Sequence, residues 1–499
     1  MVASLPASER ARQRSALALG VIVVGTLIAA VDTTIVVLAL PPIQRSLHAG
    51  LASLTWVIIG YLLVITLLAV QVGRLGDMFG RVKMYQAGFL VFILGSLLCA
   101  LSFNVASMIA FRAIQGIGGA LISANSGAVI ADTFPPERRG RAYGFIAVGW
   151  NLGAILGILL GGLITTYVSW RWIFGINVPI GLAAFVVGLR VLHDRSARQR
   201  RRLDLVGMAF LGLGLFAILW AMVQLSSTSL NREIVGALAA GVALLLGFGV
   251  VERKVPDPMV NLALLRTPTL TPTLLSSLLQ SVGSFAVLFL LTMYLQGVRN
   301  LSPIHASALL VPGYLVGAAM APLGGRVADR HGPVIPATLG IVLTIGSLLF
   351  YSALGPTTTL LLIIAGTIVN GMGSGLFYPA NNSAVMRSAP DGSFGVVAGL
   401  LRTFANTGMV FSFSVAILVA SRTIPRQVAF AIFVGTARLS GATGRIFTHG
   451  LHAAFFVSIA ILLGAGVLAA TGLGHERRRR AGQGTTRDSE EPEAPLVAH

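Results

Sequence analysis

Among the 17 Asp and Glu residues of this 499-residue chain, Asp32 alone stands deep within a long apolar run; the others fall in polar stretches, in the tails or at run ends. A carboxylate at such depth costs roughly 2.5–3.5 kcal/mol on insertion scales, and such groups face a partner or a water-filled cavity. A carboxyl group in that setting can take up and release a proton as its surroundings change. Asp32 is therefore a candidate proton carrier; the alternative is a permanently protonated acid hydrogen-bonded to a neighbouring helix. Arg112 is its basic counterpart. Counted at ~1.5 Å per residue, it sits at a similar depth in its own apolar run. Its guanidinium could hold Asp32 ionised until a proton or a cationic ligand competes, or it could cap backbone carbonyls and pack with Gln115.

Such residues need elements that cross a bilayer. The chain is 55% hydrophobic and 11% charged, with a mean hydropathy of +0.84, against about 25% charged in soluble domains. The apolar runs last roughly 20 residues, enough for a spanning helix, whereas barrel strands alternate over about 10. Only helices satisfy their own backbone in lipid without closing a barrel. Splitting the sequence at charged or Pro/Gly-rich breaks predicts an all-α membrane protein of 14 spans.

The formal charge of +19 does not point to nucleic acid, because the Lys and Arg residues sit in the tails or in short segments between apolar runs, apart from Arg112 and Arg402, which lie inside spans. One alternating set of loops holds roughly three times the Lys and Arg of the other, which places both termini in the cytoplasm. Arg10, Arg12 and Arg14 precede a first apolar run without a small-residue cleavage site, so that run reads as a retained span. The lone cysteine, Cys99, rules out an internal disulfide or a cysteine metal cage. Neither a phosphate-binding glycine loop nor an HExxH pattern is present, which argues against ATP, a metal, other cofactors or enzymatic chemistry.

An internal repeat fixes the domain plan. Gly73-Arg74-Leu75-Gly76-Asp77-Met78-Phe79-Gly80 recurs as Gly325-Arg326-Val327-Ala328-Asp329-Arg330-His331-Gly332, eight spans later. This fits two six-helix bundles joined by two extra spans, a plan that places a transport site at the membrane midplane. The expected organisation is a cytoplasmic tail over 1–15, a first bundle over 16–191, two linking spans over 192–270, a second bundle over 271–474 and a disordered tail over 475–499. Residues 427–439 are apolar enough for a hairpin or interfacial helix. In span 5, Gly149, Gly153, Gly157 and Gly161 recur at every fourth position, with Gly162 adjacent, and their stripe permits close helix contact.

Four segments carry a family resemblance: Val31-Asp32-Thr33-Thr34-Ile35-Val36-Val37-Leu38-Ala39-Leu40-Pro41; Gly73 to Arg81 with Lys83; Arg112-Ala113-Ile114-Gln115-Gly116; and Trp170-Arg171-Trp172 through Gly181. Together they resemble the major facilitator superfamily, specifically its fourteen-helix drug:proton antiporter branch. There are two departures: Ile158 replaces the proline of the span 5 motif, and Pro333 stands where a basic residue follows the second loop motif.

The resemblance implies a proton-coupled antiporter that exports hydrophobic or amphiphilic organic compounds by alternating access, as in multidrug efflux. It would act without a cofactor, as a functional monomer in a bacterial inner membrane. Asp32 and Arg112 would couple the proton. Gly73, Asp77, Gly80, Arg81 and Lys83, with Gly325 and Asp329, would latch the bundles in the outward-open state, and Pro333 would make the second copy the weaker latch. The glycine stripe would seal the cavity against proton leak. Tyr61, Gln115, Asn151, Gln280, Tyr294 and Tyr378 are candidate substrate contacts, with helix–helix bonding as the alternative for the polar ones. A single deep carboxylate favours monovalent cations or neutral lipophiles over divalent cations. Two alternatives stay open: the same fold exporting a lipid, siderophore or endogenous metabolite, and a membrane scaffold or sensor without transport.

Overall fold

A computed structural model describes residues 7–49, 51–194, 204–227, 229–258, 260–355, 357–390, 393–420, 448 and 450–471. Every regular element among them is helical. The first half comprises α1 (Ala7–Leu47), α2 (Leu51–Phe79), α3 (Arg81–Ala100), α4 (Val105–Thr133), α5 (Pro136–Tyr167) and the short α6 (Trp172–Gly175), which leads into α7 (Asn177–Val191). Two peripheral helices follow, α8 (Leu205–Ser227) and α9 (Arg232–Lys254). The second half comprises α10 (Leu270–Met293), α11 (Pro303–His331), α12 (Val334–Ser352), α13 (Leu360–Arg387) and α14 (Phe394–Ala420), then α15 (Gly450–Thr471). Thirteen helices among the described residues are long and apolar enough to cross a membrane. α10, of 24 residues, stands where the ninth span is expected. The expected element over 427–439 and the tail over 475–499 lie outside the described residues.

Local sequence sets the breaks between helices. Asn104 caps α4 by accepting from the Ser107 amide at 2.7 Å, while the Ser107 hydroxyl accepts from the Asn104 amide at 3.2 Å. This reciprocal box satisfies two amides that the helix itself cannot. Gly80 separates α2 from α3 with φ of 110°, and Gly332 ends α11 with φ of 86°, a conformation that disfavours any residue with a Cβ. The repeated motifs, expected as loops, are therefore mostly helix: α2 continues through Asp77 to Phe79, and α11 through Asp329 to His331. Nothing in either segment breaks a helix, so one left-handed glycine makes the whole turn. α1 likewise begins at Ala7, within the expected tail, because Glu9 to Arg14 are mostly good helix formers.

Leu90, Leu94 and Leu97 on α3, Leu182, Val186 and Leu189 on α7, and Leu246 and Val250 on α9 are exposed at helical spacing. Apolar stripes of this extent suit contact with lipid chains, not water. Between the halves, two helix pairs run side by side, α5 with α11 and α2 with α14. At one end of each pair the backbones touch: there is no room for a Cβ on Gly73 beside the Gly395 carbonyl, or on Gly325 beside the Gly140 carbonyl.

The span 5 stripe meets α1. A Cβ on Gly149 would lie 2.8 Å from the Val23 carbonyl oxygen, and one on Gly153 2.5 Å from that of Leu27. Gly161 approaches the Ile35 carbonyl in the same way. Gly162 faces elsewhere, with only Ile304 Cδ1 at 4.0 Å. In purified protein, Gly153→Ala is expected to lower stability by roughly 1–3 kcal/mol through overpacking. Gly162→Ala should be neutral or slightly stabilising, because alanine is the better helix former. Thermal unfolding that ranks the two variants the other way would contradict this placement of the stripe.

Candidate transport site

α1 and α4 bring Asp32 and Arg112 together in the interior of the first half, 0% and 1% exposed, with Arg112 Nη1 2.6 Å from Asp32 Oδ2. The equal depths counted along the two spans thus meet as an ion pair. Gln115, one helical turn beyond Arg112, donates from Nε2 to Asp32 Oδ1 at 2.8 Å and accepts from Arg112 Nη1 at 2.7 Å. The same Gln115 amide also donates to Ser96 Oγ on α3 at 2.8 Å. Arg112 Nε donates to the Val57 carbonyl of α2 at 3.0 Å, and the Asn177 amide of α7 lies 3.4 Å from Asp32 Oδ1. Both alternatives for Arg112, carbonyl capping and packing with Gln115, therefore hold alongside the ion pair. Buried charges of this kind are tolerated only when paired and hydrogen-bonded throughout.

A cavity of about 240 Å³ lies between the halves. Ala29 and Thr33 of α1 line it, whereas Asp32, about 100° round the helix from Thr33, faces α4 and is absent from the lining. The expectation that a cationic substrate would reach this carboxylate directly does not fit that placement: Arg112 already occupies it, inside one bundle. Tyr61 is the bridge. Its ring lies 4.3 Å from the Arg112 guanidinium and forms part of the cavity wall, and its hydroxyl has no hydrogen-bond partner among the described residues.

Of the other expected substrate contacts, Asn151 and Tyr378 line the cavity. Gln115 belongs to the ion-pair network. Gln280 is buried off the cavity, donating to Ser284 Oγ at 3.0 Å and Thr344 Oγ1 at 3.3 Å, the helix–helix alternative. Tyr294 is spent on the Gly355 carbonyl, at 2.7 Å. Arg402, recognised in the sequence only as an arginine within a span, is a cavity residue.

The repeated motif joins the halves at the α2–α3 end. Asp77 accepts from the Gly395 and Val396 amides of α14 at 3.0 and 3.1 Å, so its charge sits on the positive N-terminus of a helix in the other half. Arg81 holds Asp77 at 2.7 Å and also pairs with Asp132 of α4. Asp329 repeats the arrangement, accepting from the Gly140 and Arg141 amides of α5 at 2.9 Å each. Its cation is Arg387 of α13, at 3.0 Å. The second copy is thus as fully bonded to the opposite half as the first despite Pro333, because its basic partner comes from a different helix. Lys83 is exposed and takes no part in these contacts. Asp132 and Arg387 carried no motif signal; both sit at the C-terminal ends of corresponding helices, α4 and α13.

Residues 22–413 match the model of the Major Facilitator Superfamily. The chain belongs to the major facilitator superfamily. This transporter is 32% identical over 404 residues to the tetracenomycin C resistance and export protein of Streptomyces glaucescens, covering 80% of this chain and 75% of that one. It is 30% identical over 458 residues to the puromycin resistance protein of Streptomyces alboniger, covering 90% and 89%. Its fold superposes on the human organic anion transporter MFSD10 with a TM-score of 0.64 at 18% identity, over 90% of this chain and 99% of that one, a likeness that speaks to the fold alone. The transporter is accordingly a multi-pass membrane protein that moves small substrates, not an enzyme.

The closed contact at the α2–α3 end is testable with a cysteine at Ser123 in the cavity wall, since the native Cys99 is buried. Gly73→Ala, which drives a methyl into the Gly395 backbone, is expected to raise maleimide labelling of Ser123→Cys from the membrane side that holds the α2–α3 end at least about tenfold, equivalent to 1.4 kcal/mol. Gly20→Ala, with nothing within 4 Å, should leave the labelling rate unchanged. Equal rates in the two backgrounds would show that this contact does not close the cavity.

Proposed function

We propose that this transporter is a proton-coupled antiporter that exports hydrophobic or amphiphilic organic compounds by alternating access. It would act as a monomer in a bacterial inner membrane with both termini cytoplasmic. The observation that carries the reading is the enclosed Asp32–Arg112 pair at 2.6 Å, together with Tyr61 between that pair and the cavity. A proton arriving at a carboxylate oxygen of Asp32 removes its charge and leaves Arg112 without a counter-ion. The guanidinium then depends on the Val57 carbonyl and Gln115, so its position, and that of the tyrosine over it, shifts relative to α1. Loading of the proton site thereby alters the wall of the substrate cavity, which is what exchange requires of two ligands that do not share a pocket. The two relatives named for tetracenomycin C export and puromycin resistance support organic cargo and outward transport.

Asp32→Asn keeps the shape of the side chain and an acceptor for Gln115 but cannot titrate. In proteoliposomes it is expected to cut export driven by a pH gradient at least about tenfold, while substrate counterflow without a gradient persists. Because a lone buried guanidinium costs about 3–5 kcal/mol, Asp32→Asn with Arg112→Gln should recover thermal stability and remain uncoupled. Gradient-driven export at the wild-type rate in Asp32→Asn would defeat the proposal.

A further inference from the structure

Arg402 lies on α14, eight residues from its first residue, Phe394. It lines the central cavity and also a small recess formed with Tyr143, Asn382 and Met386. Several arginines within or at the ends of the described helices have partners. Arg81 and Arg112 hold carboxylates, Arg387 holds Asp329, and Arg139 bonds the Ala131 and Phe134 carbonyls. Arg402 has neither a hydrogen bond nor an ion pair among the described residues.

Among the described residues, the rest of the cavity wall holds no Asp, Glu, Lys or His. Its polar surface consists of hydroxyls and amides, including Asn382 and Asn406, which can donate hydrogen bonds. The one deep carboxylate of the chain cannot balance Arg402 as a neighbour, since it is neutralised by Arg112 and lies outside the wall. A guanidinium in a largely apolar cavity without a counter-charge is costly. It attracts an anion entering from water and repels a cation, and the low dielectric strengthens both effects. Trp150 and Tyr378 supply flat apolar surface to the same cavity.

We propose that Arg402 makes the central cavity a site for organic anions, specifically aromatic compounds bearing a carboxylate, sulfonate or phenolate that pairs with its guanidinium. This names the substrate class of the exporter proposed above and rests on that reading for the direction of transport. It replaces the monovalent cations or neutral lipophiles favoured by the sequence, because the acid on which that expectation stood does not face the substrate. Bidentate pairing of a planar guanidinium with a carboxylate or sulfonate supplies orientation as well as charge, and the ring system fills the apolar remainder.

The test is equilibrium binding to the purified full-length protein in nanodiscs, with no proton gradient. The probes share one ring system and differ in charge: naphthalene-2-sulfonate, naphthalene-2-sulfonamide and 2-naphthylmethylammonium. The expected result is at least about tenfold tighter binding of the sulfonate than of the ammonium. Arg402→Gln should abolish that preference and Arg402→Lys should keep most of it, with thermal stability of the Gln variant equal to or above the wild type. Equal binding of the three probes, binding of none, or a sulfonate preference that survives in Arg402→Gln overturns the proposal. Because binding is read without a gradient, failure of proton coupling at Asp32 would leave this result standing, and the reverse also holds.

Discussion

A carboxylate and a guanidinium 2.6 Å apart, both sealed from solvent, set the terms on which the first half of this molecule can be built. Neither charge is tolerable alone in a low-dielectric interior, and together they remain tolerable only while the remaining lone pairs and protons are bonded. The helices around them meet that condition from four directions. α4 brings Gln115 to bridge the pair, α3 brings Ser96 to hold Gln115, α2 gives the Val57 carbonyl, and α7 gives Asn177. The close approach of α1 and α5 along glycines 149 to 161 fixes the helix that carries the acid. Packing and electrostatics therefore support each other: the stripe allows α1 a single seat, and that seat puts Asp32 against α4.

Placing the pair inside one bundle separates two tasks. The cavity between the halves is free to be shaped for cargo, while the ionisable group is one side chain away behind Tyr61. In the proposed exchange cycle this separation matters, because a proton and an organic anion on one site would neutralise each other, whereas on neighbouring sites each can bias the same helices. Arg402 stands on the opposite half from Asp32, so the charges proposed to serve cargo and proton ride on the two bodies that must move relative to each other.

The contacts between the halves show chemistry conserved through duplication while the residues supplying it changed. Asp77 and Asp329 each accept two backbone amides near the start of a helix in the opposite half. The cation beside the first is Arg81, four residues on, and the cation beside the second is Arg387, from α13. Asp77 and Arg81 are buried, so their charges are tolerated only as a bonded set, one that is also directional across the gap. Backbone contact at Gly73–Gly395 and Gly140–Gly325 sets how near the halves can come.

Much of this was legible in the chain itself. Apolar run length determined the helices, since an unpaired backbone in lipid admits no other open form. The repeat at 73–80 and 325–332 revealed the duplication, and the depth of Asp32, the one acid deep inside an apolar run, with Arg112 at a similar level, picked out the pair, because a rare charge in an apolar run is visible without coordinates. What the sequence could not give was direction around a helix axis. About 100° separates Thr33, in the cavity wall, from Asp32, buried against α4, and no neighbour in sequence distinguishes the two. The same holds for Gln280 and Tyr294, turned into helix contacts, and for Arg387 and Arg402, whose roles depend on elements distant in the chain. Tertiary packing decided these, because which face of a helix meets a partner, a cavity or lipid is set by the helices beside it.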